Sequence, residues 1–301
     1  MNTSDLALFV QTADSGSITR AAQQLDLTTA TASAAIKRLE KQLGTALFIR
    51  STRQLRLSAE GERFLMYCRK ALANLDEGFN AINALEGKVA GELRISVPSD
   101  LGRNLFLSWM DEIMEAHPDL SISLVIGDSL ADFYQDRIDL AIRYGQLQDS
   151  NMVAFKLANI DRILCAAPSY VARFGMPTHP NELLQHNCLL FEVNERRFDL
   201  WELHQDVGGR VERFKVKVMG NRSANDADVV HRWAVSGKGI AFKARLDMLS
   251  DLRDGKVVRL LSNYYAPAVD LHLMSPSRKQ VTPAVLLLRD ILREKFRQLL
   301  G

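Results

Sequence analysis

Residues 18–58, ITRAAQQLDLTTATASAAIKRLEKQLGTALFIRSTRQLRLS, decide how this chain is read. Ile18, Ala21, Ala22 and Leu25 recur at i, i+3, i+4 and i+7, which gives one helix a single apolar face. Asp26-Leu27-Thr28 leaves room only for a tight turn. Ala32, Ile36, Leu39 and Leu43 resume the pattern on a second helix, with Thr28 or Thr29 as its N-cap. The other side of that helix carries Thr29, Ala30, Ser33, Ala34, Lys37 and Lys41. Small, hydroxylated and basic side chains suit a helix lying in a DNA major groove with phosphates on either side. Gly44 ends the helix, and Leu47–Arg50 can pair with Gln54–Leu57 around Ser51-Thr52-Arg53. Residues 18–58 hold seven basic and two acidic side chains, a net +5, whereas the chain totals +2 and the remainder therefore −3. Positive charge is concentrated where the groove-reading geometry is.

Residues 1–90 resemble the amino-terminal part of the LysR-type transcriptional regulators. The resemblance rests on Leu6-Phe9-Val10, Gly16-Ser17-Ile18 and Ala21-Ala22, then Ser33, Ile36, Leu39-Glu40 and Leu43-Gly44. It continues through Leu47-Phe48, Arg50 and Leu57-Ser58-Ala59-Glu60-Gly61 without a gap. Members of that family often carry Gln-Pro or Gln-Ser where this chain has Thr29-Ala30, and Arg where it has Ala34. Lacking a long bidentate donor, the reading face should lean on phosphates and DNA shape. The expected DNA contacts are Ser17, Thr28, Thr29, Ala30, Thr31, Ser33, Ala34, Lys37, Arg38, Arg50, Arg53 and Arg56. Thr29, Thr31 and Ser33 are assigned to bases, Lys37 and Arg38 to phosphates, and the hairpin arginines to the backbone or minor groove.

Upstream, Ser4 can cap a helix whose Leu6, Phe9, Val10 and Ala13 face inward. Downstream, Ser58 caps a long helix running to about Glu86. Leu65, Leu72 and Phe79 at one heptad position and Cys68, Leu75 and Ile82 at another predict pairing with the same helix of a second chain. Gly87 to Gly91 reads as a hinge. Beyond it, short apolar strands alternate with helices, the texture of an α/β domain. The resemblance implies two α/β halves as in periplasmic binding proteins. The expected organisation is therefore a winged helix-turn-helix domain (1–58), a linker and dimerisation helix with hinge (59–90), and an effector-binding domain (91–301). Subdomain I would be 91–160 with 268–301, and subdomain II 161–267.

Ligands of open α/β sheets sit at the carboxyl ends of strands, near helix N-termini. Ser99-Asp100-Leu101-Gly102 and Arg222-Ser223-Ala224-Asn225 both join a strand to a helix, so two nests of free amides could face an anionic metabolite. The expected effector contacts are Ser99, Asp100, Leu101, Gly102, Arg143, Ser223 and Asn225, with Ser129, Phe191 and Trp201 as weaker candidates. Arg143 enters because it resembles a family position that often lines the pocket. In Val235–Phe242 and its continuation, Lys243 stands where the family often has Pro, which should alter the rim of the cleft.

No GxGxxG, P-loop, GxSxG or HExxH motif occurs, so no enzyme class, cofactor or metal is assigned. His179, His186 and Cys188 lack a fourth ligand and a regular spacing. Cys165 and Cys188 lie in apolar, strand-like surroundings and read as buried, inert thiols. The start of the chain has no basic leader, and no apolar run approaches the ~20 residues of a membrane span. A cytoplasmic, nucleoid-associated regulator follows as the expectation. Its partners are double-stranded promoter DNA, a small-molecule effector and further copies of itself as dimer or tetramer, with RNA polymerase as a further candidate. Two other classes compete: an α/β enzyme with a DNA-targeting head, and an architectural DNA binder without an effector.

Overall fold

The structure is a computed structural model and describes residues 2–50, 55–85, 90–129, 133, 138–145, 152–194 and 196–300. It forms two compact units, Met1–Glu86 and Gly87–Gly301.

The first unit holds helices α1 (Thr3–Ser15), α2 (Ile18–Gln24) and α3 (Thr29–Leu43), strands β1 (Phe48–Arg50) and β2 (Leu55–Leu57), and helix α4 (Ala59–Leu85). Asn2, not Ser4, caps α1; its side chain accepts from the Ser4 amide. Ser17 caps α2, and Thr28 settles the choice of cap for α3 by accepting from the Thr31 amide at 3.1 Å. Phe9, Ala21, Ala22, Ala32, Ile36, Leu39 and Leu47 are buried together, so the helix-turn-helix and its wing share one core. The hairpin pairs Phe48 with Leu57 and Arg50 with Leu55; Arg53 lies outside the described residues. Ser58 caps α4 through the Gly61 amide and donates its hydroxyl hydrogen to the Ala46 carbonyl at 2.6 Å.

One expectation about α4 is corrected. Cys68 is buried and Leu65 and Leu72 pack against the core of their own unit. A heptad pattern states that a face is covered without stating by what. The wing and α1 cover this one first. Among the described side chains of α4, Leu75, Met66 and Tyr67 are the exposed large apolar ones; those of Phe79 and Ile82 lie outside the description.

The second unit begins with β3 (Gly91–Val97), α5 (Ser99–Leu101), a π-helical turn over Gly102–Phe106, and α6 (Leu107–Ala116). Strands β4 (Leu120–Ile126), β5 (Leu140–Tyr144), β6 (Val153–Ile160) and β7 (Arg162–Ala166) follow, then α7 (Pro168–Phe174), β8 (Cys188–Val193) and β9 (Arg196–Arg197). Next come β10 (Leu200–Val207), β11 (Arg210–Lys217), β12 (Arg222–Ala224), α8 (Ala227–Val235), β13 (Ile240–Ala244) and α9 (Leu249–Arg253). The chain closes with β14 (Val258–Leu260), β15 (Val269–Ser275) and α10 (Pro283–Leu300).

Two sheets organise the unit into two lobes. The first has the order β4-β3-β5-β15-β6, the second β12-β8-β13-β7-β14 with β9 beside β8. In the first lobe β3 runs parallel to β4 and β5, so their carboxyl ends lie on one edge. In the second, β8 runs parallel to β12 and β13. Trp109 on α6 meets Phe296 on α10 edge to face at 5.0 Å within the first lobe's core. Strands β10 and β11 form a separate ribbon whose Trp201, Leu203 and Val216 fill the second lobe's core.

Candidate DNA-contacting face and effector cleft

In the first unit, α3 buries Ala32, Ala35, Ile36 and Leu39 and exposes Thr29, Ala30, Thr31, Ala34, Lys37 and Lys41, with Ser33 half-buried. Thr28 and Thr31 bond through their hydroxyls at 2.8 Å, which fixes the start of the exposed face. Two acidic residues face inward. Asp5 is buried and receives a two-pronged hydrogen bond from Arg38, Nε at 3.0 Å and Nη2 at 2.5 Å. Glu40 accepts from the Leu47 and Phe48 amides at 2.9 and 3.2 Å, which fastens the wing to the end of α3. Arg38 was assigned to phosphate; two of its donors instead tie α3 to α1. Spending both acids internally leaves the outward side of α3 basic.

In the second unit, β3 ends at Val97-Pro98 and its next residue, Ser99, meets a carboxylate supplied by the chain itself. Asp128, just past β4, accepts from the Ser99 amide at 3.0 Å and from the Ser99 hydroxyl. The same Asp128 accepts from the Ala227 amide of α8, in the other lobe, at 2.8 Å. Ser99 Oγ also accepts from Ala227 and, at 3.3 Å, from Asp228. Asp226 caps α8 through the Asp228 and Val229 amides and pairs with Arg103 at 2.9 Å. The first-turn amides of α8 are therefore taken, and at the other turn Gly102 N–H is used inside its own helix, on Pro98.

Beneath this contact lies a buried charge cluster. Lys243, at the end of β13, is 6% exposed and contacts the carboxylate of Asp100, with Asp247 at 3.6 Å and the Ala227 carbonyl at 2.9 Å. Asp100 also faces His231 Nδ1 at 2.9 Å and Asn104 Nδ2 at 2.6 Å; His231 Nε2 faces Asp251 at 2.6 Å. Burial works against the charge of Lys243, yet Asp100 and Asp247 outweigh it and raise its pKa. The same balance lowers the pKa of Asp100 and raises that of His231, whose two nitrogens both point at carboxylates. Asp247 goes the other way: burial, then the Asp100 charge, push it up to about 7. Asp100, Asp228 and His231 have the spacing of a metal site, but the ammonium of Lys243 already occupies the cation's role against Asp100.

A cavity of about 300 Å³ opens beside Asp128, lined by Gly127, Ser129, Val193, Asn194, Asn225 and Asp226. Of the expected effector residues, Ser129 and Asn225 reach it. Arg143 stands on β5 with Nη2 on Ser96 Oγ at 2.6 Å and on the Ser129 carbonyl at 3.1 Å, its Nε buried without a partner. Ser223 is half-buried on β12, and Phe191 stacks on Phe198 with ring centres 5.7 Å apart. Three assignments are corrected. Leu101 is wholly buried in the first lobe's core. Trp201 lies in the second lobe's core, its indole N–H on the Phe198 carbonyl. Asp100 is 1% exposed and committed to Lys243 and His231. A polar or aromatic side chain at a strand end looks the same in sequence whether it faces a ligand or a neighbouring strand. No sequence feature marks Asp128 or His231 as cleft residues, for the same reason; the Lys243 departure is the one signal pointing there.

A helix-turn-helix with a wing, joined to a two-lobed α/β unit with a polar cavity between its lobes, defines a ligand-responsive DNA-binding protein. Residues 3–62 match the family described as bacterial regulatory helix-turn-helix protein, lysR family, and residues 86–297 match the LysR substrate binding domain. The chain belongs to the LysR-type family of transcriptional regulators. It is 30% identical to the HTH-type transcriptional regulator DmlR of Escherichia coli K12, over 97% of this chain and 94% of that protein. It is 33% identical to the HTH-type transcriptional activator TtdR of Escherichia coli UTI89, over 86% and 83%. Among solved structures, the full-length Vibrio cholerae virulence activator AphB superposes with TM-score 0.61 at 28% identity, covering 98% and 99% of the two chains. CrgA of Neisseria meningitidis gives TM-score 0.60 at 25% identity, covering 98% and 99%. The chain is thus a DNA-binding regulator with an effector-binding domain. No described helix is long and apolar enough to cross a membrane.

Proposed function

We propose that two or four copies of this chain act as a cytoplasmic regulator on an interrupted palindrome in promoter DNA. The observation that carries this reading is the face of α3, where Thr29, Ala30, Thr31, Ala34 and Lys37 are exposed and the opposite side is core. The head comprises residues 1–58, with Thr29, Thr31 and Ser33 at the bases and Lys37 on phosphate. The helix of residues 59–85 pairs the copies through the region of Met66, Tyr67 and Leu75. A small anionic effector enters the cleft of residues 91–301 beside Ser129, Arg143 and Asn225. It shifts the balance between lobe arrangements because it binds them unequally, and the connection between the units carries that shift to the head. The chain performs no catalysis in this reading, and RNA polymerase is the partner its output acts on.

Selection of sheared genomic DNA by the purified chain, sequenced at several salt concentrations, tests the proposal. Recovery of a few sites with two-fold symmetry supports it. Uniform, salt-labile recovery would leave an electrostatic binder, and no recovery at low salt would overturn the reading.

A further inference from the structure

The first turn of α8 has three backbone amides, and all three are taken: Ala227 by Asp128 and Ser99, Asp228 by Asp226 and Ser99, Val229 by Asp226. Asp226 is the ordinary cap of its own helix. Asp128 is not, because it comes from the opposite lobe, 99 residues earlier. Its two carboxylate oxygens collect three donors, the Ser99 amide, the Ser99 hydroxyl and the Ala227 amide, which is the donor set a bound carboxylate would receive at such a place. The cavity that Asp128 lines begins directly beside this seat.

We infer that Asp128 is a built-in ligand of the cleft, a carboxylate latch that joins the two lobes at Ser99 and Ala227. A carboxylate-bearing effector therefore enters by exchange: its oxygens take the Ser99 and Ala227 donors as Asp128 swings away. Addition beside Asp128 is unfavourable, since no α8 amide is left to receive a second anion and the cavity is already lined by Asp128 and Asp226. The exchange makes the effector's differential affinity depend on what Asp128 does when released, which is how one arrangement of the lobes comes to be favoured over another. This inference rests on the cleft being the effector site, and it specifies how that site is kept occupied in the effector's absence. Arg103 on Asp226 and Asn104 on Asp228 hold the lobes together around the latch, so its release loosens the contact without dissolving it.

The test is chemical rescue in the full chain. Asp128→Ala should lower the thermal midpoint of the α/β unit by several degrees. Sodium acetate should restore at least half of that loss relative to sodium chloride at equal ionic strength, while the natural chain responds equally to the two salts. Acetate acting identically on variant and natural chain, or not acting on the variant, overturns the latch. Should Asp128→Ala fold poorly, Asp128→Asn keeps the volume and serves with a second readout, hydrogen exchange at the Ala227 and Asp228 amides. Exchange at Ala227, the amide that Asp128 holds, should quicken at least tenfold in the variant, with Asp228, held by Asp226 and Ser99, as the internal reference; unchanged protection at Ala227 overturns the inference. Symmetric sites in the genomic selection together with failed rescue would remove the latch alone, and successful rescue without DNA recovery would remove the regulator reading alone.

Discussion

Replacing Lys243 by Met removes the cation from the buried cluster while keeping most of its volume, so the packing loss is small. What remains is Asp100, 1% exposed, with His231 at 2.9 Å and Asn104 at 2.6 Å as its partners. Breaking a buried pair by deleting one member costs about 3–5 kcal/mol, because the other charge stays desolvated. The two surviving partners place Lys243→Met at the lower end, about 3 kcal/mol. In a domain of this size that corresponds to a drop of roughly 6–12 °C in the thermal midpoint. Urea unfolding followed by tryptophan fluorescence reads it directly, since Trp109, Trp201 and Trp233 all lie in the α/β unit. Adding Asp100→Asn neutralises the stranded charge, and the double variant should recover more than half of the loss. A single variant that loses less than about 1 kcal/mol, or a double variant no more stable than the single, refutes the account of the cluster as a mutually dependent set of charges.

Asp247 supplies a pH signature. Its folded pKa of about 7 exceeds the unfolded ~3.9, so its stabilising contribution is complete below the lower value and is lost as pH rises through about 7. Asp247→Asn imitates the protonated form, and its stability relative to the natural chain should grow between pH 5 and 8 in urea titrations; parallel curves would contradict the assignment. In the head, a Cβ at Gly61 would stand 2.1 Å from the Leu47 carbonyl oxygen, so Gly61→Ala should cost more than about 2 kcal/mol and abolish DNA binding, as circular dichroism and mobility shift would report. Lys37→Ala should weaken binding to all sequences alike and lower the salt-dependence slope by about one; a change in sequence preference instead would move Lys37 from phosphate to base.

The head was legible because its periodicity and turn chemistry coincide over a short span. Ala21, Ala22, Ala32, Ile36 and Leu39 are buried as their spacing requires, and Gly44 takes the left-handed φ of +69° that ends α3. The strands of the α/β unit were legible where apolar runs are continuous, as in β5, whose Leu140, Ala141 and Ile142 are all buried. Strand β10 was not, because LWELHQDV alternates and its Trp201 drew attention as a ligand wall when it is the inward half of that alternation. The cleft was hardest. Ser99 was found from a strand-to-helix turn, but its partners Asp128 and Ala227 lie 29 and 128 residues away. Which loops meet at a sheet edge is set by strand order, and no local pattern encodes that order.

The three cysteines, finally, define what chemistry can be done on this protein. Cys68, Cys165 and Cys188 are free and buried, and burial pushes their thiols up to about 11, about 12 and about 12. Near neutral pH fewer than about one in a thousand of each is thiolate, the form that attacks alkylating reagents. The folded chain is in effect a blank background for site-directed labelling: one cysteine introduced on each lobe will carry a dye pair without removal of the native three. The distance between the lobes can then be followed in solution as candidate effectors are added.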